Sequence, residues 1–270
     1  MKIIYQWNPW SYMHIASTEI AKDLDIEIDE IIWKEDFNEA WAIIDENSIW
    51  VLPIENSYMW SIHASLYNFL QYDYKIIWEY YQDVNHCICT KEKELKNIKK
   101  AYSQLPALEQ CTNYFKKHNI IPKIFSDTAL SAKYVNESKE TWLAAICSEK
   151  AAKIYWLNIL EKNIQDQKWN TTRFAIITTQ NNKTKYKRKS KKISILFEAS
   201  DVPASLHKCL GAFATNHVNL TKIESLPSYS WKFHYLFWLD FEWEMKDVNI
   251  IKSLIELAFF TKTIKIIWEY

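Results

Sequence analysis

In the run Asn170-Thr171-Thr172-Arg173-Phe174, two hydroxyls stand beside one of only two arginines in the chain, Arg173 and Arg188. A threonine hydroxyl is a weak acid in water. It assists bond cleavage by donating a positioned hydrogen bond to negative charge that develops in a dry site. The guanidinium of Arg173 is suited to bidentate contact with a carboxylate, or it braces the motif from outside the pocket, and the residues leave both readings open. Ser11 follows a short apolar run and opens a helical one, and Asn56-Ser57 open another. Backbone N–H groups at such helix starts attract small anions. His14, early in its helix, reads as a packed, hydrogen-bonded histidine more readily than as a base. His63, His86, His118, His207, His217 and His234 have no metal-ligand spacing. Cys87, Cys89, Cys111, Cys147 and Cys209 form no Cys-x-x-Cys pair, so buried thiols are expected, without a disulfide framework or a zinc site. No cofactor and no metal is expected from these spacings.

The elements that must hold these residues read as α/β layers. Strand-like runs near 2–6, 49–53, 74–80, 84–89, 98–102, 120–125, 143–147 and 173–179 alternate with helical runs near 11–23, 36–45, 60–71, 106–118, 128–137 and 148–156. Residues 181–191 are polar and strongly basic and read as a linker. From 192 to 270 the pattern is strand 193–199, helix 203–216, strands 218–225 and 232–241, helix 247–259 and strand 263–268. That β-α-β-β-α-β order is ferredoxin-like. The 33 basic and 33 acidic residues balance, so no global field points to nucleic acid or anionic lipid. No apolar stretch reaches the roughly 18 residues of a membrane span, and Met1–Gln6 does not read as a signal peptide, so a cytoplasmic location is expected.

Composition adds an anomaly. The 270 residues include 14 tryptophans and a single glycine, where a soluble chain uses glycine at roughly 7%. Trp7 and Trp10 lie where the first strand turns into a helix, Trp156 follows the helical stretch Ala151–Tyr155, and Trp243 lies in a polar turn. These are places where chains usually turn on glycine. Glycine codons translated as tryptophan, as when the opal stop codon encodes glycine, explain the deficit and the excess together. The strongest positions are 7, 10, 50, 60, 78, 156, 169, 243 and 268. Trp33, Trp41, Trp142, Trp231 and Trp238 make no such demand, and Trp238 reads as a genuine strand aromatic.

With glycine restored, residues 6–14 read Gln-Gly-Asn-Pro-Gly-Ser-Tyr-Met-His and 50–60 read Gly-Val-Leu-Pro-Ile-Glu-Asn-Ser-Tyr-Met-Gly. With Asn170–Phe174, Tyr102-Ser103, Gln110-Cys111, Ser126-Asp127-Thr128 and the stretch Asn219–Ser225, this ordered set resembles prephenate dehydratase over nearly the whole chain. The resemblance implies a catalytic region at 1–180, built as two α/β lobes like a type 2 periplasmic binding protein, with the second lobe inserted at about 80–168. It implies a regulatory ACT domain at 192–270. The substrate would be prephenate, a small dianion that loses carbon dioxide and hydroxide to give phenylpyruvate. Thr172 would carry the hydrogen bond to the leaving hydroxyl, and Asn56, Ser103 and Gln110 would share its cleft. Ser11, Ser57, Thr128, Thr171 and Arg173 would complete the substrate contacts. L-Phenylalanine would be the effector, held near Ala204, Ser205, Leu206, Glu224 and Ser225, and a homodimer or homotetramer is implied, with no nucleic-acid or membrane partner. No chorismate mutase segment precedes Met1, so a bifunctional enzyme is not expected. The chain departs from the family where Ser-His-Pro-Gln becomes Ser103-Gln104-Leu105-Pro106, Gly-Ala-Leu becomes Ala204-Ser205-Leu206, and Glu-Ser-Arg-Pro becomes Glu224-Ser225-Leu226-Pro227. Arogenate dehydratase and a non-catalytic amino-acid sensor of the same fold remain as alternatives.

Overall fold

The structure, a computed structural model, describes all residues except 7, 8, 59, 63, 64, 68, 70, 71, 183–190, 228–234, 243 and 270, and leaves out the side chains of 37, 60, 61 and 268. Most of the expected linker, Trp7, Trp231, Trp243, His63 and His234 therefore lie outside the described residues. The chain divides into two compact units, Met1–Trp60 with Tyr80–Phe174, and Ser61–Glu79 with Ala175–Tyr270.

The first unit opens with β1 (Lys2–Gln6), α1 (Tyr12–Asp23), β2 (Glu30–Lys34), α2 (Phe37–Ala42), β3 (Ser48–Asn56) and the short β4 (Trp60–Ser61). Strand β1 runs parallel to both β2 and β3. Its residues and those of β3 are buried almost throughout, as expected of inner parallel strands. The carboxyl ends of β1 and β3 lead into Ser11 and Asn56. The chain continues through β5 (Tyr74–Asp83), β6 (Cys87–Thr90), β7 (Lys100–Ser103), α3 (Leu105–Glu109), α4 (Thr112–His118), β8 (Ile121–Ile124), α5 (Thr128–Glu137), β9 (Leu143–Cys147), α6 (Glu149–Ile154), β10 (Asn158–Lys162) and β11 (Thr171–Thr179). A second sheet has the order β10-β6-β9-β7-β8. Within it β7 is parallel to β8 and β9, so Ser103, the start of α5 and the start of α6 share one carboxyl edge. Ligands bind at such edges in open α/β sheets.

Cys87, Cys89 and Cys147 share one face of this second sheet with Ala129, Ala132, Ala145, Ala151 and Ala152, while Cys111 packs on the other with Ile88, Ala144 and Ile146. All five thiols of the chain are free and buried. A neighbouring Cys89 thiol and burial push the Cys87 thiol well up, and burial does the same at Cys111.

The second unit contains β12 (Lys192–Ala199), α7 (Ser205–Thr215), β13 (Leu220–Pro227), β14 (Tyr235–Glu242), α8 (Val248–Ala258) and β15 (Thr261–Glu269). Its sheet has the order β13-β14-β12-β15 and is antiparallel throughout. Trp238 is fully buried in β14, where its Nε1 donates to Asp240 Oδ1 at 2.6 Å, the same atom that accepts from Ser194 Oγ at 2.7 Å. That is the setting of a genuine core indole.

Several expected elements change. The single helix 106–118 breaks at Gln110-Cys111 into α3 and α4, and the strand expected at 84–89 starts only at Cys87. Trp60–Ser61 pair with β3 as β4 instead of opening a helix. Strands β2 and β10 were not anticipated; both lie at sheet edges and are half-exposed, so neither carries the apolar run of a buried strand.

Helix ends explain how the chain manages with one glycine, which is spent mid-helix at Gly211. Leu157 N donates to Ala152 O at 2.9 Å and Trp156 N to Lys153 O at 3.3 Å, a Schellman motif that places Trp156 at φ 56°. That position is usually glycine. Asp25, Asn119 and His217 take the equivalent left-handed conformation after α1, α4 and α7, and Trp10 has φ 74° just before α1. Ala204, before α7, has φ 62°. A Cβ in this region is strained by about 1 kcal/mol or more. Trp156 is 87% exposed, so its ring gives little packing in return. Ala204→Gly and Trp156→Gly are each expected to raise stability by about 1 kcal/mol, partly offset by the freer unfolded chain, as read from urea midpoints at unchanged slope.

Candidate active site

Two segments converge inside the first unit: Glu55-Asn56-Ser57, at the end of β3, and Trp169–Arg173, at the start of β11. Their backbones are zipped together. Ser57 N donates to Thr171 O at 2.9 Å, Thr171 N donates to Ser57 Oγ at 2.9 Å, and Ser57 Oγ donates to Trp169 O at 3.2 Å. Ser57 and Thr171 thus serve as joinery. Thr171 Oγ1 also donates to Asp83 Oδ1 at 2.9 Å, at the end of β5.

Asn56 Nδ2 donates to Thr172 Oγ1 and to Asn170 Oδ1, each at 3.0 Å, with Thr171 O more distant at 3.4 Å, while Asn56 Oδ1 accepts from Tyr58 N at 2.9 Å. Asn170 Nδ2 donates to Gln110 Oε1 at 2.8 Å, and His86 Nε2 lies 2.7 Å from the same oxygen. Gln110 reaches this position because α3 stops at Glu109 and α4 starts at Thr112. Its side chain stands at the break, and its carbonyl accepts from Asp166 N at 2.6 Å. Three residues expected to share a cleft, Asn56, Gln110 and Thr172, are therefore linked through one further side chain, Asn170. Asn170 stood in the motif run but was assigned no role. His86 had been set aside for want of metal spacing, and nothing in the linear sequence joins it to Gln110, 24 positions on.

Other expected residues make internal contacts of their own. Ser103 is fully buried and donates to Ile146 O at 2.7 Å, tying β7 to β9. Thr128 is buried at the first turn of α5, whose N–H groups at Ala129 and Leu130 are already taken by Asp127 Oδ1 at 2.7 and 3.0 Å. Burial raises the Asp127 carboxyl against those bonds. Ser11 caps α1, its Oγ accepting from His14 N at 3.4 Å. The His14 ring lies 2.8 Å from the Tyr5 hydroxyl and is shifted toward neutrality by burial and then by Lys150. The buried Arg173 guanidinium pairs with Glu55 Oε2 at 3.4 Å. Tyr12 donates to Asn85 O at 2.8 Å and stands edge-on to His86. Among the described residues no group of three or more His, Cys, Asp or Glu could hold a metal ion, and no helix is long and apolar enough to cross a membrane.

The sequence model of the family described as prephenate dehydratase matches residues 3–182, two thirds of the chain and the whole of this hydrogen-bonded site. The chain belongs to the prephenate dehydratase family. A prephenate dehydratase of Methanocaldococcus jannaschii is 37% identical over 255 residues, covering 93% of this chain and 92% of that protein. Arogenate dehydratase/prephenate dehydratase 2 of Arabidopsis thaliana is 36% identical over 248 residues, covering 85% and 64%. The fold is also that of solved prephenate dehydratases. The one from Staphylococcus aureus superposes with a TM-score of 0.85 at 24% identity, covering all of both chains. The one from Arthrobacter aurescens, solved in complex with L-Phe, gives 0.83 at 23% identity, covering 100% of this chain and 89% of that one. The mixed α/β sheets and the lyase assignment follow from family membership, as does a place in aromatic amino-acid biosynthesis.

Proposed function

We propose that the chain converts prephenate to phenylpyruvate, carbon dioxide and hydroxide, with Thr172 as the residue that assists departure of the ring hydroxyl. The observation that carries this reading is the bond from Asn56 Nδ2 to Thr172 Oγ1. An oxygen that accepts from Asn56 keeps its own hydrogen for another partner, here the leaving hydroxyl. As the C–O bond breaks, its electron pair goes to that oxygen. The pair of the C–CO2 bond enters the ring, which becomes aromatic as carbon dioxide departs. Thr172 donates a hydrogen bond to the developing hydroxide in an electrostatic role. The two substrate carboxylates fall to donors at the carboxyl edges of β1 and β3 and at the start of α1. Arg173, paired with Glu55 and buried, acts in this reading as the brace of the motif. Purified protein should release phenylpyruvate from prephenate, measured by its enol absorbance in base. Release of phenylalanine from arogenate at equal or higher kcat/KM would assign the amino-acid analogue instead, the activity named first for the Arabidopsis relative.

The second unit is an ACT domain in this proposal, as its β-α-β-β-α-β element order supports. L-Phenylalanine is its effector, consistent with the L-Phe complex of the Arthrobacter protein. Ala204 keeps the left-handed backbone that glycine would occupy at the start of α7, so the turn of the departed Gly-Ala-Leu motif survives its sequence change. Val248, Ile251 and Ile255 on α8, with Phe259 just past its end, form an exposed apolar stripe, Phe259 being 77% exposed, which favours pairing with a second copy of the chain. The glycine reading of the tryptophans draws support from the φ angles of Trp10 and Trp156 and from the 84% exposure of Trp169. Trp50 stands in an ordinary strand, fully buried and edge-on to Trp41 at 4.4 Å, where the backbone makes no demand for glycine. UGG codons at 7, 10, 50 and 60 would overturn the glycine reading.

A further inference from the structure

We propose that His86 and Asn170 are positioning residues that fix the direction of the Thr172 hydroxyl hydrogen through a polar chain of five side chains, an inference that rests on the elimination proposed above. The donor accounting starts at a backbone group with no choice. Tyr58 N can only donate, and it faces Asn56 Oδ1 at 2.9 Å. The other end of that amide must then be NH2, and its two hydrogens are directed at Thr172 Oγ1 and Asn170 Oδ1. With its oxygen engaged there, Asn170 presents its own NH2 to Gln110, whose nearest atom must be the oxygen. His86 Nε2, at 2.7 Å from the same oxygen, must therefore carry a hydrogen. The ring's other nitrogen, Nδ1, is buried and has no hydrogen-bond partner among the described residues, which is the place for a bare lone pair and not for an N–H.

Every link thus has one polarity. Reversing Asn56 would turn its oxygen toward Thr172, and the threonine hydrogen would be spent inward instead of on substrate. Asn170 holds Asn56 against that reversal, Gln110 holds Asn170, and His86 holds Gln110. His86 is 2% exposed and burial keeps it neutral, which suits a donor whose second nitrogen has nothing to bind.

Three variants and one spectrum test this. His86→Leu removes the N–H that ends the chain, and His86→Gln places an amide N–H near the same point. Asn170→Asp keeps an acceptor for Asn56 but cannot donate to Gln110. His86→Leu and Asn170→Asp are expected to lower kcat by about 10- to 100-fold with KM changed less than about threefold, as for a misaligned reacting group. His86→Gln should recover most of kcat. The 15N spectrum of the imidazole at neutral pH should show the Nε2–H tautomer. Equal loss in the Leu and Gln variants, a loss carried by KM alone, or an Nδ1–H tautomer would overturn the proposal. The tautomer is read without turnover, so protein that releases no phenylpyruvate yet shows Nε2–H refutes the elimination reading while leaving the geometry of the chain standing.

Discussion

Thr172→Val should lower kcat for phenylpyruvate release by about 10²- to 10³-fold, the usual cost of deleting one donor aimed at developing negative charge, with KM nearly unchanged. Valine has the shape of threonine and fits the same extended strand, so β11 and its zipper with Ser57 stay in place. Only the hydroxyl goes. Asn56 Nδ2 keeps Asn170 Oδ1 as a partner, which limits the stability loss to about 1 kcal/mol. Thr172→Ser restores the hydroxyl without the methyl and should retain most of the activity. A valine variant with more than a tenth of the parent kcat would show that this hydroxyl does not assist the departure, and the site would then need another donor. The split between kcat and KM matters, because a residue that merely bound prephenate would shift KM instead.

Acid should weaken the fold through His86 before it touches the carboxylates. Burial presses the imidazole down to about 4, against the pull of the Gln110 oxygen in the other direction. In the unfolded chain the same ring titrates near 6.5. Between these values the unfolded state binds a proton that the folded state refuses. The stability linked to His86 is therefore full above about pH 6.5, is lost progressively as the pH falls from there to about 4, and falls no further below that. A gap of that size corresponds to roughly 3 kcal/mol. His14 shifts in the same direction and adds to the slope. Urea midpoints measured at pH 7.5, 5.5 and 4 should fall steeply, and His86→Gln should flatten that fall. An unchanged pH slope in the Gln variant would assign the acid sensitivity elsewhere. Glu149 and Glu244, drawn down to about 2 by lysine partners, act only at lower pH.

Much of the layering was legible in the sequence because buried strands and capped helices announce themselves. Strand β3 is a nine-residue run that is buried for most of its length, and α5 covers the helical run expected near 128–137. Two edge strands were not legible: β2 and β10 are half in water, so their residues carry no continuous apolar signal. The break at Gln110 was hidden for a different reason. Apolar periodicity runs through it, since Leu108 before it and Cys111, Tyr114 and Phe115 after it pack into one core. Thr172, Asn56 and Gln110 could be picked out by resemblance, whereas His86 and the linking role of Asn170 could not. Hydrogen-bond chains across 24 and 60 positions exist only after folding.

The burial of the thiols has a kinetic consequence. Cys87, Cys89, Cys111 and Cys147 lie within one sheet and its helices, and Cys209 lies on α7. With all five thiols buried, an alkylating reagent reacts only when the surrounding structure transiently opens. The labelling rate of the first four therefore clocks the breathing of the second sheet, while Cys209 keeps separate time for the C-terminal unit.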